Sequence, residues 1–467
     1  MTATSSSTPD TGTRTIPLPQ FDHQPQPYAG PTKAETIALR HQYLSPGLLT
    51  YYAEPLMVVE GKMQYVFDET GQRYLDAFAG IVTVSVGHCH PKVIEKVKAQ
   101  NNTLQHTTTI YLHPTIGQFA KKLAEKMPST KDGTPLDRTY FTNSGSEATE
   151  LAILAAREHT GNHTIIALRN GYHGGTSATM GLTAHGTWKF KSNPAQDIVH
   201  TRAGYCYRCP YDLDYPTCGL KCANEVKDVI ENNTSGEVAG FIGEPIQGVG
   251  GAVVPPPGFF EIVYKIVRDH GGVCIADEVQ GGFGRTGYHY WAHQNWNVQP
   301  DMVTMAKGIG NGAPLAAMTS TEAISGQLAN RIHFNTYGGN PVSVTQGLAT
   351  LEVIDEDNIQ ENARIVGEHL KAGLEDLQDK HPLIGDVRGL GLMLGVELVT
   401  DRKKKTPAKA ECAAVVERAK QMGLLLGKGG LYGNTIRLKP PMCITKDDAD
   451  FIVDVLDECL THAAPGQ

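Results

Sequence analysis

Long apolar runs are missing from this sequence. No uninterrupted hydrophobic stretch reaches the roughly 20 residues that a membrane-spanning helix needs, and none is expected to cross a bilayer. Positive charge is in deficit as well. Lys and Arg number 41 against 49 Asp and Glu, for a formal net charge of −8, which removes the electrostatic basis for holding nucleic acid. Cysteine is sparse: nine in 467 residues cannot staple a disulfide scaffold. Four of them are grouped as Cys206, Cys209, Cys218 and Cys222. Paired cysteines serve zinc sites, but the second spacing and the short intervening loop fit zinc patterns only loosely. A surface insertion with reduced thiols and no metal is the expectation. The first thirty residues lack the apolar core of a secretory signal. Their one arginine, Arg14, stands beside Asp10 and Asp22, unlike an Arg-rich, acid-poor transit peptide. A mobile tail over residues 1–30 and a cytoplasmic location are expected. No internal repeat is visible.

Glycine, by contrast, is abundant, at 50 residues, and clusters where backbone could approach a ligand closely. The length accommodates two domains. Two short apolar runs end in polar clusters: Val273-Cys-Ile-Ala-Asp277-Glu-Val279-Gln280 and Met302-Val-Thr-Met-Ala-Lys307-Gly308. Runs of this kind read as buried strands of a mostly parallel α/β sheet, with helices on both faces. Asp277 and Lys307 then lie at the carboxyl ends of strands, where such sheets bind ligands. The pair is either an ordinary ion pair at a strand edge or a site for a cofactor bearing a cationic ring nitrogen and a carbonyl. Pyridoxal phosphate has both.

Further strands are expected over Met57–Tyr65, Arg73–Phe78, Arg138–Thr142, Thr164–Leu168, Val238–Ile242 and Thr435–Leu438. Lys33–Tyr52 is expected as a helix leading into a turn at Ser45-Pro-Gly, and further helices are expected over Pro91–Leu104, Pro114–Met127, Glu147–His159, Asn224–Asn232, Val342–Ile354, Glu361–Lys380 and Ala413–Met422, with a last one capped by Thr445 and Asp448. A glycine–serine turn, Ser144-Gly145-Ser146, opens the helix at Glu147 and offers free N–H groups to an anion; it could equally be a simple N-cap. His88 and His90 read as loop histidines ahead of a helix begun by Pro91. Gly282-x-Gly-x-x-Gly287 matches a dinucleotide fingerprint formally, but an aromatic cluster follows it where a helix should open.

The stretch Asp277-Glu-Val-Gln-Gly-Gly-Phe-Gly-Arg-Thr-Gly287, followed by Ala306-Lys-Gly-Ile-Gly-Asn-Gly312, resembles the signature of class III aminotransferases, pyridoxal-phosphate enzymes of fold type I. The family's other motifs follow in order, so the resemblance runs from about Leu44 to about His462. It implies a large cofactor-binding domain over 79–340 built on a seven-stranded-type sheet. A smaller α/β domain would come from residues 31–78 and 341–467. It implies that Lys307 forms the Schiff base and moves the substrate proton, while Asp277 keeps the ring nitrogen protonated. Gly145 and Ser146 would hold the phosphate. Tyr172 would stack on one face of the ring and Val279 pack on the other, with His173 in support. Gln280 would meet the phenolic oxygen, and Glu244 would stand behind the ring. Thr336 would reach the phosphate of a partner subunit, so a homodimer or dimer of dimers is expected. Arg437 would bind the substrate carboxylate.

One departure bears on substrate. Family members acting on ω-amino groups carry a glutamate after the Gln-Gly of Glu-Pro-x-Gln-Gly, where it covers that arginine; here the position is Val249. Val249, the Gly80–Pro91 stretch and Pro441-Met-Cys-Ile-Thr-Lys446 look most like the alanine–glyoxylate aminotransferase 2 group. The resemblance therefore points to alanine or a short β-amino acid as donor and glyoxylate or pyruvate as acceptor. A 4-aminobutyrate or ω-amine transaminase, or an amino-acid racemase on the same scaffold, is the alternative.

Overall fold

A computed structural model describes residues 15–191 and 197–463. Its centre is a seven-stranded sheet in the order Arg138–Thr142, Ala316–Ser320, Met302–Met305, Val273–Asp277, Gly240–Gly243, Ile165–Leu168 and Ile198–Thr201. Only Ala316–Ser320 runs against its neighbours; the other strands point the same way. The central strands are buried along their whole length, as expected of a sheet covered on both faces. Alternation assigns the faces. Ile165, Ala167 and Ile275 pack beneath Leu151, Ala152 and Ala155 of the helix Gly145–Thr160. Ile166, Leu168 and Cys274 meet Phe260, Val263 and Val267 of the helix Phe259–Asp269 on the other face.

Two smaller sheets flank this core. Val58–Lys62, Tyr65–Asp68 and Arg73–Asp76 form a meander that is joined by Leu424–Leu425, parallel to its last strand. Ile384–Leu390, Met393–Asp401, Thr435–Leu438 and Gly427–Gly429 form an antiparallel sheet, edged by Thr406–Pro407. Helices Ile359–Lys380, Lys409–Gln421 and Lys446–Ala463 cover it. Thr445 and Asp448 exchange the expected capping hydrogen bonds ahead of the last helix.

Three expectations change. The strand expected over Met57–Tyr65 is a hairpin: Met63 takes φ +52°, and the chain reverses between Lys62 and Tyr65. The segment Lys33–Tyr52, expected as a helix leading into a turn at Ser45-Pro-Gly, is helical only to Tyr43, with Leu44 already extended ahead of that turn; Pro46 disfavours the helical conformation at Ser45. The mobile tail expected over residues 1–30 does not describe its second half. Ile16, Leu18 and Phe21 pack on the core, Arg73 donates to the Pro19 carbonyl, and His23 meets Glu60 at 2.5 Å. Residues 1–14 lie outside the described residues.

Candidate active site

Because six of the seven strands share a direction, their carboxyl ends form one edge, and the chemistry-bearing residues gather there. Gly145, Ser146, Tyr172, Glu244, Asp277, Val279, Gln280 and Lys307 line one cavity of about 130 Å³, together with His173 and Gly174. Asp277 ends its strand and Lys307 follows the neighbouring strand by two residues. Glu244 follows Gly243 at the end of the next. Arg437 and Thr336 lie outside the lining of this cavity.

Lys307 has φ +51°, a left-handed conformation that a bulky side chain adopts only when its surroundings impose it. No hydrogen bond or ion pair among the described residues occupies its Nζ. Burial pushes its amine below the ordinary lysine range, against the pull of Asp277 and then Glu244. A lysine depressed in this way supplies a larger fraction of neutral, nucleophilic amine. Asp277 is buried and meets His173 Nδ1 at 2.6 Å; it also accepts from the Val279 N–H at 3.1 Å. Burial opposes charge on His173, yet Asp277 and Glu244 outweigh it and hold the imidazole pKa above its usual value.

One end of the cavity is the first turn of the helix Gly145–Thr160. Ser144 caps it, accepting from the Glu147 N–H at 3.3 Å, and Glu147 reaches back to the Asn143 N–H at 2.6 Å. The Gly145 and Ser146 N–H groups carry no hydrogen bond among the described residues, so both reading alternatives coexist: the turn is a cap and leaves two donors free. The Gly175 N–H donates to Ser146 Oγ at 3.1 Å. Val279 lies against Gly145, where a Cβ would stand 3.4 Å from Cγ2. Tyr172 faces the cavity, with the Trp188 ring edge-on at 5.1 Å. Glu244 is buried and accepts from the Tyr172 N–H at 2.9 Å and the Gly248 N–H at 2.7 Å, tying two loops together. Burial raises its carboxyl pKa, opposed chiefly by His173.

Arg437 is buried beside this group. It donates to the Lys428 carbonyl at 2.9 Å and the Gly248 carbonyl at 3.4 Å, and stacks 5.0 Å from the Phe78 ring. No carboxylate pairs with it among the described residues. Val249, at the position where a covering glutamate would stand, is buried and uses its carbonyl to accept from the Gly430 N–H. Thr336 is exposed on a loop.

The donor set suits pyridoxal phosphate: an unpartnered lysine, a buried carboxylate, two free helix N–H groups and an aromatic wall. It does not suit a dinucleotide. Gly284 and Gly287 take φ +82° and +81° in turns, and a Cβ at Gly287 would stand 2.5 Å from the Arg364 backbone. These glycines serve chain packing. Among the described residues no three His, Cys, Asp or Glu side chains converge to hold a metal. His88 and His90 meet Asp76 at 2.9 Å and Asp357 at 3.3 Å. Sequence reasoning missed Trp188 and Lys439. The second is wholly buried and donates to Gln280 Oε1 at 2.9 Å.

The family model described as aminotransferase class-III matches residues 50–460. The chain is 51% identical over 440 residues to an alanine–glyoxylate aminotransferase 2 homolog 2, mitochondrial, of Arabidopsis thaliana, covering 94% of this chain and 90% of that one. It is 42% identical over 465 residues to the Homo sapiens alanine–glyoxylate aminotransferase 2, mitochondrial, with 95% and 90% covered. A Bacillus anthracis aminotransferase superposes with a TM-score of 0.85 at 31% identity, over 93% of this chain and 100% of that one. An amine transaminase from an uncultivated Pseudomonas species in its PLP-bound form gives 0.83 at 28%, over 90% and 99%. With sheet, cavity and relatives in agreement, the chain belongs to the class III aminotransferases and is a pyridoxal-phosphate-dependent transaminase of fold type I.

Proposed function

We propose that this transaminase takes its amino group from alanine or a short β-amino acid and delivers it to glyoxylate or pyruvate. The observation that carries the reading is Arg437: a buried guanidinium, bonded only to carbonyls, with Val249 where a covering glutamate would otherwise stand. A guanidinium without a carboxylate partner is ready for the bidentate α-carboxylate of a small amino or keto acid. The names of the two relatives, alanine–glyoxylate aminotransferases, support the same pair.

In this reading pyridoxal phosphate, when bound, supplies an electron sink for the carbon next to the amine. The residues do the rest. The free N–H groups of Gly145 and Ser146 would bind the phosphate, and Tyr172 and Val279 would hold the ring between them. Asp277, kept in place by His173, would keep the ring nitrogen protonated. Gln280 would donate to the phenolic oxygen. Lys307 would hold the group and serve as the amine that takes up and returns the proton at the substrate carbon.

The remaining parts of the proposal concern assembly and place. Residues 79–340 form the cofactor-binding unit, and the chain ends form the smaller one. Thr336 serves the site of a second copy; the large apolar side chains exposed near it, Ile332, Phe334 and Tyr337, favour a homodimer. Location is tested by fractionation: the sequence composition favours the cytoplasm, whereas the relatives are named mitochondrial. The description of the Pseudomonas neighbour as an amine transaminase favours an ω-amine reading second.

The test is a panel of donors against pyruvate, glyoxylate and 2-oxoglutarate, run on the wild type and Arg437→Ala. Alanine with glyoxylate should lead. Loss of the charge-assisted contact should raise the acceptor KM by about 10- to 100-fold. A clear preference for 4-aminobutyrate with 2-oxoglutarate would refute the substrate assignment, and loss of donor chirality without keto acid would indicate a racemase.

A further inference from the structure

Lys439 lies one residue beyond the strand Thr435–Leu438 and two residues past Arg437, on the same side of the chain. Its side chain is fully buried. No carboxylate pairs with it among the described residues; it donates to two carbonyl oxygens, Gln280 Oε1 at 2.9 Å and Gly248 O at 3.2 Å. Burial, with the Arg437 guanidinium next, drives its amine well below the ordinary lysine range against the pull of Glu244. Both acceptors in reach of Nζ are oxygens, and each receives one of its N–H groups.

The consequence falls on Gln280. A carboxamide can present either its oxygen or its NH2 group to a neighbour, and packing alone rarely decides which. A lysine that donates into it does decide: the oxygen faces Lys439 and the NH2 group is turned the other way. Gly248 closes the remaining side, since a Cβ there would stand 2.3 Å from the Gln280 carboxamide. Gln280 also lines the cavity. We infer that Lys439 is a positioning residue, which fixes the flip of the Gln280 carboxamide so that Nε2–H is presented to the phenolic oxygen of the cofactor. The inference rests on the cavity being the pyridoxal-phosphate site proposed above. The Gly248 carbonyl, shared with Arg437, ties this orientation to the residue proposed to bind the carboxylate.

The test is a double-mutant cycle of Lys439→Met and Gln280→Leu on full-length protein, with two readouts that do not depend on turnover. One is the Kd of the apoprotein for pyridoxal phosphate. The other is the pH midpoint of the bound cofactor's visible absorption band. With Gln280 intact, Lys439→Met should weaken cofactor binding about tenfold and move the midpoint by about one pH unit, the scale of one lost hydrogen bond to a charged group. In the Gln280→Leu background it should change neither readout by more than about twofold. If Lys439→Met does not fold, Lys439→Gln, which keeps an amide donor, enters the same cycle and should give a smaller shift that also vanishes with Gln280→Leu. Equal losses in both backgrounds, or an unmoved midpoint, overturn the role of Lys439 while the cofactor site stands. A wild-type protein that forms no visible band overturns the site assignment and this inference with it.

Discussion

Lys307 in its left-handed conformation and the pair formed by Asp277 and His173 are the residues on which the site turns. The pair has a pH signature. His173 is held above its ordinary pKa of about 6.5 by Asp277 and Glu244, in spite of burial. A raised pKa contributes stability that is fully present below the unfolded value and is lost as pH rises through the folded one. The wild-type apoprotein should therefore show a melting temperature that falls from mildly acidic to alkaline pH, and His173→Asn should flatten that dependence. An unchanged slope in the variant would remove His173 from the titration. Asp277→Asn should leave the cofactor bound but cut kcat by about 10²- to 10³-fold, the scale of losing one preorganised electrostatic partner; near-normal turnover would refute the role. Asp277 and Lys307 could be placed at strand ends because each follows a short apolar run, and Gly145 and Ser146 at a helix N-terminus because a glycine–serine turn opens the helix there. Lys439 was not legible, because Lys-Pro-Pro after a strand reads as the start of an exposed loop, and only the tertiary structure shows that the loop runs through the interior. Trp188 stands in a segment without periodicity, so nothing announced its contact with Tyr172.

At the level of elements, the site depends on how the loop after the strand Ile165–Leu168 lies on the helix Gly145–Thr160. Gly174 has φ +137°, and a Cβ there would stand 2.4 Å from Ser146 Oγ and 2.6 Å from Thr179 Oγ1. Gly174→Ala should push the loop off the helix N-terminus. Strain and overpacking of about 1–3 kcal/mol should appear as a rise of about tenfold or more in the Kd for pyridoxal phosphate, read by titrating the apoprotein. Unaltered affinity would mean that the loop does not shape the cavity at the helix N-terminus. Five of the seven strands of the central sheet were readable from the sequence, and the helix after Pro341 from that residue; the strands Ile198–Thr201 and Ala316–Ser320 and the helix Phe259–Asp269 were not expected. The hairpin at Met63-Gln64 was not legible either, since neither residue is a turn former. In Lys33–Tyr52 the expected turn at Ser45-Pro-Gly marks the break, and the helix stops just ahead of it at Tyr43.

For the molecule as a whole, the cavity is lined by residues spread from Gly145 to Lys307, and its Gln280 is held by Lys439, so distant parts of the chain must fold together before the site exists. Thr336 adds a prediction about assembly. It is exposed, and Ile332 beside it is 99% exposed, a surface that a lone subunit gains nothing by leaving in water. Sedimentation should show at least a dimer at assay concentrations, and Thr336→Ala should weaken cofactor binding a few-fold without dissociating it. A fully active monomer would contradict the shared site. The central claim, that this fold presents Lys307 and no other lysine to the cofactor, meets its most direct test in borohydride reduction of the coloured protein followed by peptide mapping. The account predicts one pyridoxyl-modified peptide, carrying the group on Lys307, and its absence from Lys307→Ala. Modification of Lys439 or of a surface lysine instead, or a wild-type protein that takes up no label, would contradict it.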